Sequence, residues 1–475
     1  MRLGKRRKKS RGFLYITALL MMASLLSLGA VGLTRSTTEL VASNRLVAKY
    51  QAFQFAEGRL DDILERLKTA PDSIFFQDAD NDGVLDFTDT NGDGFPDLTC
   101  PGSFQYSSCT LVDITPNPTP FGVQSGIRQL QVTTTGSQAG VMQTIQSVVE
   151  VPSPSIFPPG ILAGWVLMGF GTNLVDAYDS CSGAYPYTGW AWNQPRPVSA
   201  TVQATTSINI QQYGFWNPSW FWNNMIVGAG VSPATVTYWP GAVPSLVNVQ
   251  GTQKAASQNI PLPPITLPPG NATGSPYVAG DCSPSDPPTV FQIGVNMPSM
   301  ISTGNNCKII VQGDGLVHLD ELSLPNSSSS IEFQGNATVV TNVPGVQFQG
   351  VVKIASTGSL SLYINGTNPV MTAVSASYLN NTMDPKKFTL YVKNLSTSIG
   401  AVDLPSVSTV YGAIYAPNAY IWGHTGVEVY GSLVSGQMVT MDGHSKMHGD
   451  TALKYGCGGG GGGPSPLTML SWQQL

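Results

Sequence analysis

The chain has 475 residues, of which 42% are hydrophobic and only 11% charged, with 51 glycines and 35 prolines. Soluble domains carry roughly 25% charged residues, so this surface is neutral-polar, and so much Gly and Pro favours turns and short strands over long helices. That balance argues against a helical-bundle enzyme and against a wholly disordered chain, and the length allows two to four domains. The net charge is −5, unevenly spread. Seven of the 23 basic residues (Arg2, Lys5, Arg6, Arg7, Lys8, Lys9 and Arg11) lie in the first eleven positions, leaving 16 basic against 28 acidic residues. A basic head on an acidic body is a topology signal and offers no nucleic-acid grip.

From Gly12 to Thr34 there is no charge, and the run FLYITALLMMASLLSLGAVGL spans Phe13 to Leu33. About 20 apolar residues cross a bilayer as a helix. The preceding Arg/Lys cluster keeps its own end cytoplasmic by the positive-inside rule. A cleaved signal peptide would have a shorter apolar core and a small-residue cleavage site. Here helical character continues instead. Leu46, Phe53, Leu60 and Leu67 recur at heptad spacing with Ala56 and Ile63 between them, while Asp61, Asp62 and Glu65 lie off the stripe. Pro71 closes the pattern. One helix from Phe13 to about residue 70 is expected, its first half in lipid and its second half packed on a head.

These residues resemble a known family. A basic leader, Gly12–Phe13, and an apolar helix running on into an amphipathic one resemble type IV pilins and pseudopilins. The segment Arg35–Leu64 is more specifically similar to the N-terminus of PilX-type minor pilins, through Arg-Ser-Thr-Thr-Glu at 35–39, Asn44-Arg45 and Ala52-Phe53-Gln54-Phe55-Ala56-Glu57. The resemblance implies processing between Gly12 and Phe13 and packing of the helix among those of other pilin subunits. Major pilins of this type carry a glutamate five residues into the mature chain, where this sequence has Thr17. The absence of that carboxylate points to a subunit with no need to pair upward, as at a filament tip.

Residues 78–97 read DADNDGVLDFTDTNGDGFPD. Asp78, Asp80, Asp82, Asp86 and Asp89 form one alternating run, and Asp89, Asn91, Asp93 and Asp97 repeat it. Ca²⁺ takes six to eight oxygens, and a D-x-D-x-D-G loop supplies them from alternate positions. Asp89 serves both loops. The tandem resembles thrombospondin type 3 and dockerin-like repeats and lacks the bidentate Glu of an EF-hand. The expected cofactor is a structural Ca²⁺ that stiffens the junction between helix and head; the alternative is a solvated acidic turn. Of the six cysteines, Cys100 and Cys109 close a short loop just beyond this run and are the favoured disulfide pair.

Ile127–Thr135 and Val141–Val151 alternate apolar and polar residues around a turn at 136–140 and read as a β-hairpin. Prolines from 152 to 159 mark a boundary. Beyond Ile161 only short strand-like runs appear. Near the end VYGAIYAPNAYIWGH at 410–424 is followed by VYGSLVSGQMVTMDGH at 429–444. A period of about 20 residues fits one turn of a β-solenoid. This block, with GTNLVDAYDSCSGAY at 171–185, resembles an uncharacterised β-helical domain often fused to PilX-type N-termini. The Pro-rich stretch 261–288 reads as a loop or an inserted excursion. Cys457 and six glycines, read as a flexible linker, precede a short apolar end, 467–475, which is expected to dock back on the body.

Candidate chemistry is sparse. His444 and His448 have a metal-like spacing, but their region reads as strand and turn. His424 and His444 follow a glycine at matching places in the repeat and are expected to be turn residues. No nucleophile or phosphate motif occurs, and the carboxylates near the C-terminus form no evident pair for glycan cleavage. The tryptophans clustered from 190 to 239 are read as a local core or, alternatively, as a surface for glycan or protein.

The expected protein is mainly β with a long N-terminal helix. It has a basic leader (1–12), a spanning and amphipathic helix (13–70), a calcium loop with a small antiparallel sheet (71–152), a solenoid-like head (161–456) and a Gly-rich tail (457–475). It is expected as a non-enzymatic, single-pass subunit of a type IV pilus or related filament. Its N-terminus is cytoplasmic, with the head periplasmic or extracellular beyond the inner membrane. It would prime assembly, cap the tip or adhere. Its partners are other pilin subunits, the membrane and a surface glycan or protein, with no nucleic acid. The alternatives are an anchored envelope adhesin that never enters a filament and a β-helical glycan-degrading enzyme.

Overall fold

The computed structural model describes residues 10–69, 98, 100, 105–114, 126–153, 157, 159–169, 171–186, 200–211, 219–221, 223–228, 232, 236–238, 247–251, 253–255, 262, 265, 267–326, 328–341, 347–348, 350–365, 370–371, 378–393, 402–455 and 468–474. The fold is mainly β with one long N-terminal helix.

That helix, α1, runs unbroken over Ser10–Thr69, 60 residues. At 1.5 Å per residue it is about 90 Å long. Its apolar half presents Phe13, Leu19, Leu25 and Leu33 outward, all at least 65% exposed. The hydroxyls of Thr17, Ser24, Ser27 and Thr34 each donate to a carbonyl one turn back. No polar side chain in that group is left for lipid to desolvate. This is the one helix among the described residues long and apolar enough to cross a membrane.

The second half of α1 buries Ala48, Ala52, Ala56, Leu60, Ile63 and Leu67. The heptad reading placed Leu46 on this stripe, but Leu46 is 72% exposed. Packing starts two residues later, because small alanines at four-residue steps let the sheet approach the helix backbone. That sheet comprises β1 (Ser107–Asp113), β2 (Gly126–Gln138) and β3 (Val141–Ser153), joined antiparallel. Leu130, Val132, Ile145, Val149 and Val151 face the helix and complete the core. The hairpin turn is tighter than the sequence implied. Gln138 pairs with Val141 across Ala139 and Gly140, both at positive φ, as a two-residue turn requires. Gly136 lies inside β2, and a Cβ there would collide with the Ala52 carbonyl oxygen and the Ala56 nitrogen. Thr134 beside it donates to the Ala56 carbonyl at 2.9 Å.

The strand Thr468–Gln474 joins the same sheet, antiparallel to β3. The tail segment therefore docks on the small sheet beside α1.

The head begins with β4 (Gly160–Met168), β5 (Leu174–Tyr178) and β6 (Ala200–Ile210). Among the described residues all its ladders are parallel. Thr289–Gln292 pairs with Lys308–Gln312, that strand with Ser330–Gln334, and that one with Val351–Ile354. A second ladder links Gly315–Leu319, Asn336–Thr341, Ser359–Asn365 and Phe388–Lys393. A third links Val402–Leu404, Ile421–Gly423 and Glu428–Met441. The partners in these ladders lie 18 to 28 residues apart, so successive stretches of the chain stack as parallel rungs. Inward residues such as Ile309, Val339, Leu362, Val410, Val429 and Met447 form one long apolar core.

The chain does not climb this stack from one end. β4 and β5 enter at its middle. From there β4 pairs with β6 and β6 with Asn223–Val227, extending the stack one way. The Pro-rich stretch then leads back. Leu262, Ile265 and Leu267 pack against Tyr391, Tyr415 and Val434, and the Pro269 carbonyl meets His318 Nε2 at 3.2 Å. This segment is a strap laid across successive rungs. The chain then climbs again from Thr289 and ends against its own beginning, with Glu428–Met441 on β4 and Lys446–Asp450 on β5. Asp450 ends the last strand of the climbing half and Gly160 starts the next rung. The stack thus continues across a seam that no peptide bond joins.

Candidate functional site

The seam gathers Asp176, His448 and Asp450, the buried acidic and basic residues among those described in the head. Tyr411, Tyr430, His448 and Asp176 occupy the same register position on four consecutive strands. Their side chains alternate with the inward Val410, Val429, Met447 and Val175, so they form one column on the opposite face. The Tyr411 and Tyr430 rings stack at 4.4 Å, and Tyr430 stacks on the His448 imidazole at 4.6 Å. Tyr185, from the segment after β5, closes over His448 at 4.1 Å.

His448 is 1% exposed and Asp176 is fully buried. His448 Nδ1 lies 2.5 Å from Asp176 Oδ1, and Nε2 lies 3.1 Å from Glu428 Oε1. With a carboxylate at each nitrogen, both nitrogens donate, and the ring is an imidazolium. Burial alone would lower its pKa, but the charge of Asp176 and its hydrogen bond, then those of Glu428, hold it above the ordinary value. Glu428 shows the complement. Burial raises its carboxyl, but the hydrogen bond and charge of His448, with Lys446 at 3.0 Å, bring it down to about 2. Tyr185 donates to Asp176 at 2.6 Å and Tyr430 to Glu428 at 2.9 Å.

Neighbouring contacts bind the same seam. Asp450 accepts from the Ser180 and Ala452 backbone nitrogens, each at 3.0 Å. Buried Asn173 donates to the Gly169 carbonyl at 2.8 Å and accepts from the Ser445 nitrogen. Gly449 sits against the Pro159 carbonyl, where a Cβ would clash. The cluster is a buried clasp that joins the two halves of the head by charge-assisted hydrogen bonds. Its imidazole offers no surface to a substrate.

A second histidine cluster lies on the third ladder, half-exposed. His424 Nε2 is 2.6 Å from Asp403 Oδ1, and Nδ1 is 3.7 Å from Asp442 Oδ2. The Trp422 ring stacks on His424 at 4.5 Å, and its indole donates to Asp442 at 2.9 Å. The repeat pairs Tyr411 with Tyr430 as read, but its other end slips. Gly423 stacks on Met441, so His424 stands over Asp442 and not over His444. His444 is an exposed turn residue at φ 62°. With His448 buried in a strand, the two ends of the H-x-x-x-H spacing do not converge. Among the described residues no group of three or more His, Cys, Asp or Glu side chains could hold a metal. A cleft of about 620 Å³ opens between residues 271–277 and 294–298, with Phe291 and His318 in its wall and no carboxylate in its lining.

The other sequence-derived positions are distributed as follows. Gly12 lies in the first turns of α1, and Phe13 is 73% exposed on it. Cys100 and Cys109 are bridged, with their Cα atoms 6.1 Å apart, and tie the segment before β1 to that strand. A second bridge joins Cys282 to Cys307 across two rungs. The calcium-loop residues Asp78, Asp80, Asp82, Asp86, Asp89, Asn91, Asp93 and Asp97 lie outside the described residues, as do most of the clustered tryptophans. Trp220 is half-buried in the strand Ser219–Phe221.

Residues 287–455 match a family model described as "Domain of unknown function (DUF7305)". They cover the climbing half of the stack from the strap to the seam. No curated protein matches. Among solved structures, the chain aligns with the competence-associated pilin ComZ from Thermus thermophilus at 11% identity. The alignment covers 90% of this chain and 98% of that one, with a TM-score of 0.25. A likeness that distant fixes neither fold nor function.

Proposed function

We propose that this protein is a minor-pilin-like structural subunit of a type IV pilus or related filament, acting in assembly priming, tip capping or surface contact and not in catalysis. The observation that carries the reading is the continuity of α1. One helix joins an exposed, uncharged half to a half sealed onto the small sheet. A rod of this kind transmits the position of the head to whatever surrounds its apolar half. That half suits two environments, lipid and a bundle of equivalent helices, because its Ser and Thr hydroxyls are already satisfied within the helix. The basic leader orients it with the N-terminus cytoplasmic and the head outside the inner membrane. Thr17 bonds back to Phe13 and offers no carboxylate to a neighbour's amino group, which suits a subunit with nothing packed above it.

The proposal includes a structural Ca²⁺ held by the aspartates of 78–97 between the end of α1 and β1. Seven aspartates in so short a run repel one another without a cation. The filament reading is tested by fractionation. Immunodetection in sheared surface filaments supports it. Confinement to washed membranes supports the alternative of a static envelope adhesin or carbohydrate-binding protein.

A further inference from the structure

The strand Thr468–Gln474 holds its place on β3 in an unusual way. It forms the fourth strand of a sheet whose other three are consecutive in sequence, and it arrives after the entire head. Its contacts include main-chain pairing and polar side chains. Gln473 donates to Gln146 at 2.6 Å, Gln474 to Gln143 at 2.8 Å, and Ser147 Oγ to the Ser471 carbonyl at 3.0 Å. Two of its apolar side chains are only half covered: Leu470 is 47% exposed and Trp472 48%. The register also shifts between Val148 and Val149. Neither Leu470 nor Trp472 is a buried anchor, and an identical strand from another copy makes the same main-chain and polar bonds at the same cost. The sequence before it, 456–467, includes six consecutive glycines. Glycine-rich tethers impose no fixed geometry on what they carry.

We infer that the strand Thr468–Gln474 exchanges between copies of this chain, completing the small sheet of a neighbour by antiparallel addition to its β3 edge. Cis pairing benefits from a short tether, whose effective concentration is on the order of millimolar. In dilute solution cis pairing dominates. Where copies are crowded side by side, each neighbour's β3 competes on equal terms. The exchange links subunits through their heads, beyond what helix packing alone provides. The inference rests on the anchored-subunit reading for its crowding, not for the pairing itself.

The test uses full-length chains carrying different tags and co-expressed in one membrane. One bears Gln146→Cys and the other Gln473→Cys, so a disulfide between them forms only in trans. Free cysteines are absent among the described residues, so the engineered thiols are the ones available there. A doubly substituted chain reports the cis pair, and Ser147→Cys with Trp472→Cys repeats the test one pair along. The expected result is a tag-to-tag heterodimer in membranes or sheared filaments, falling about tenfold or more when the protein is extracted and diluted in detergent. Efficient cis cross-linking with no heterodimer at any density overturns the inference. So does failure of both cis pairs in chains whose native disulfides are intact. Either negative result leaves the filament reading standing if the mature chain begins at Phe13, so the two failures are separable.

Discussion

The clasp at the seam makes the sharpest prediction. Asp176→Asn keeps the shape of the side chain but removes the charge 2.5 Å from His448 Nδ1. The imidazolium is then left almost fully buried with Glu428 as its one anionic partner, or it must lose its proton. Breaking one partner of a buried pair costs about 3–5 kcal/mol, and the lost hydrogen bond from Tyr185 adds to this. The matched control is Asp403→Asn, which removes the partner of half-exposed His424 and should cost about 1 kcal/mol or less. The assay is denaturant unfolding of the full chain in detergent, with hydrogen exchange to locate the loss. Exchange should accelerate in β4, β5, Glu428–Met441 and Lys446–Asp450 together, because the seam is their shared boundary, while the rungs near Thr289 stay protected. If Asp176→Asn and Asp403→Asn cost the same, or if protection falls evenly along the stack, the clasp reasoning is wrong.

The clasp should be pH-dependent at both ends. Glu428, lowered from 4.5 to about 2, contributes stability that is full above about pH 4.5 and is lost as pH falls toward 2. His448, raised above 6.5, contributes stability that is full below that value and is lost as pH rises through its folded pKa. Unfolding midpoints against pH should therefore peak between about 4.5 and 6.5, and Glu428→Gln should flatten the acid limb. Gly136→Val should force α1 off β2, destabilising the small sheet by about 1–3 kcal/mol, as measured by thermal unfolding. Gly140→Ala, strained only at the turn, should cost less. Cys282→Ser opens a bridge across a separation of 25 residues. It should lower stability by about 3 kcal/mol in denaturant titration. On the proposed Ca²⁺ reading, Asp89→Asn should weaken Ca²⁺ binding by both loops at once, because that residue is shared, as equilibrium dialysis would read.

What was legible in the sequence follows from how local each cause is. The helix was readable because its period, its lack of charge and Pro71 are all contained in one stretch. Only the onset of packing was misplaced: Leu46 fits the heptad, but the sheet reaches no further than Ala48. The hairpin was readable from alternation, although Gly136 looked like a turn residue. It is a glycine because the helix backbone passes directly above it. The rungs were visible where VYG recurs. The far end of that repeat slips because β-strand stacking follows main-chain pairing and not the Gly-His pairs. The seam was not legible. Asp176 and His448 stand 272 residues apart, and nothing in their local patterns pairs them. Only the course of the chain does so, entering the stack at its middle and returning by the strap.

The central claim is that α1 is kept as a rod tying the head to the envelope or to neighbouring rods. Mass spectrometry of the mature N-terminus, on protein recovered from membranes and sheared filaments, tests it most directly. The account predicts a chain beginning at Phe13 with the apolar helix intact. A freely soluble protein beginning near residue 35 or later would contradict it.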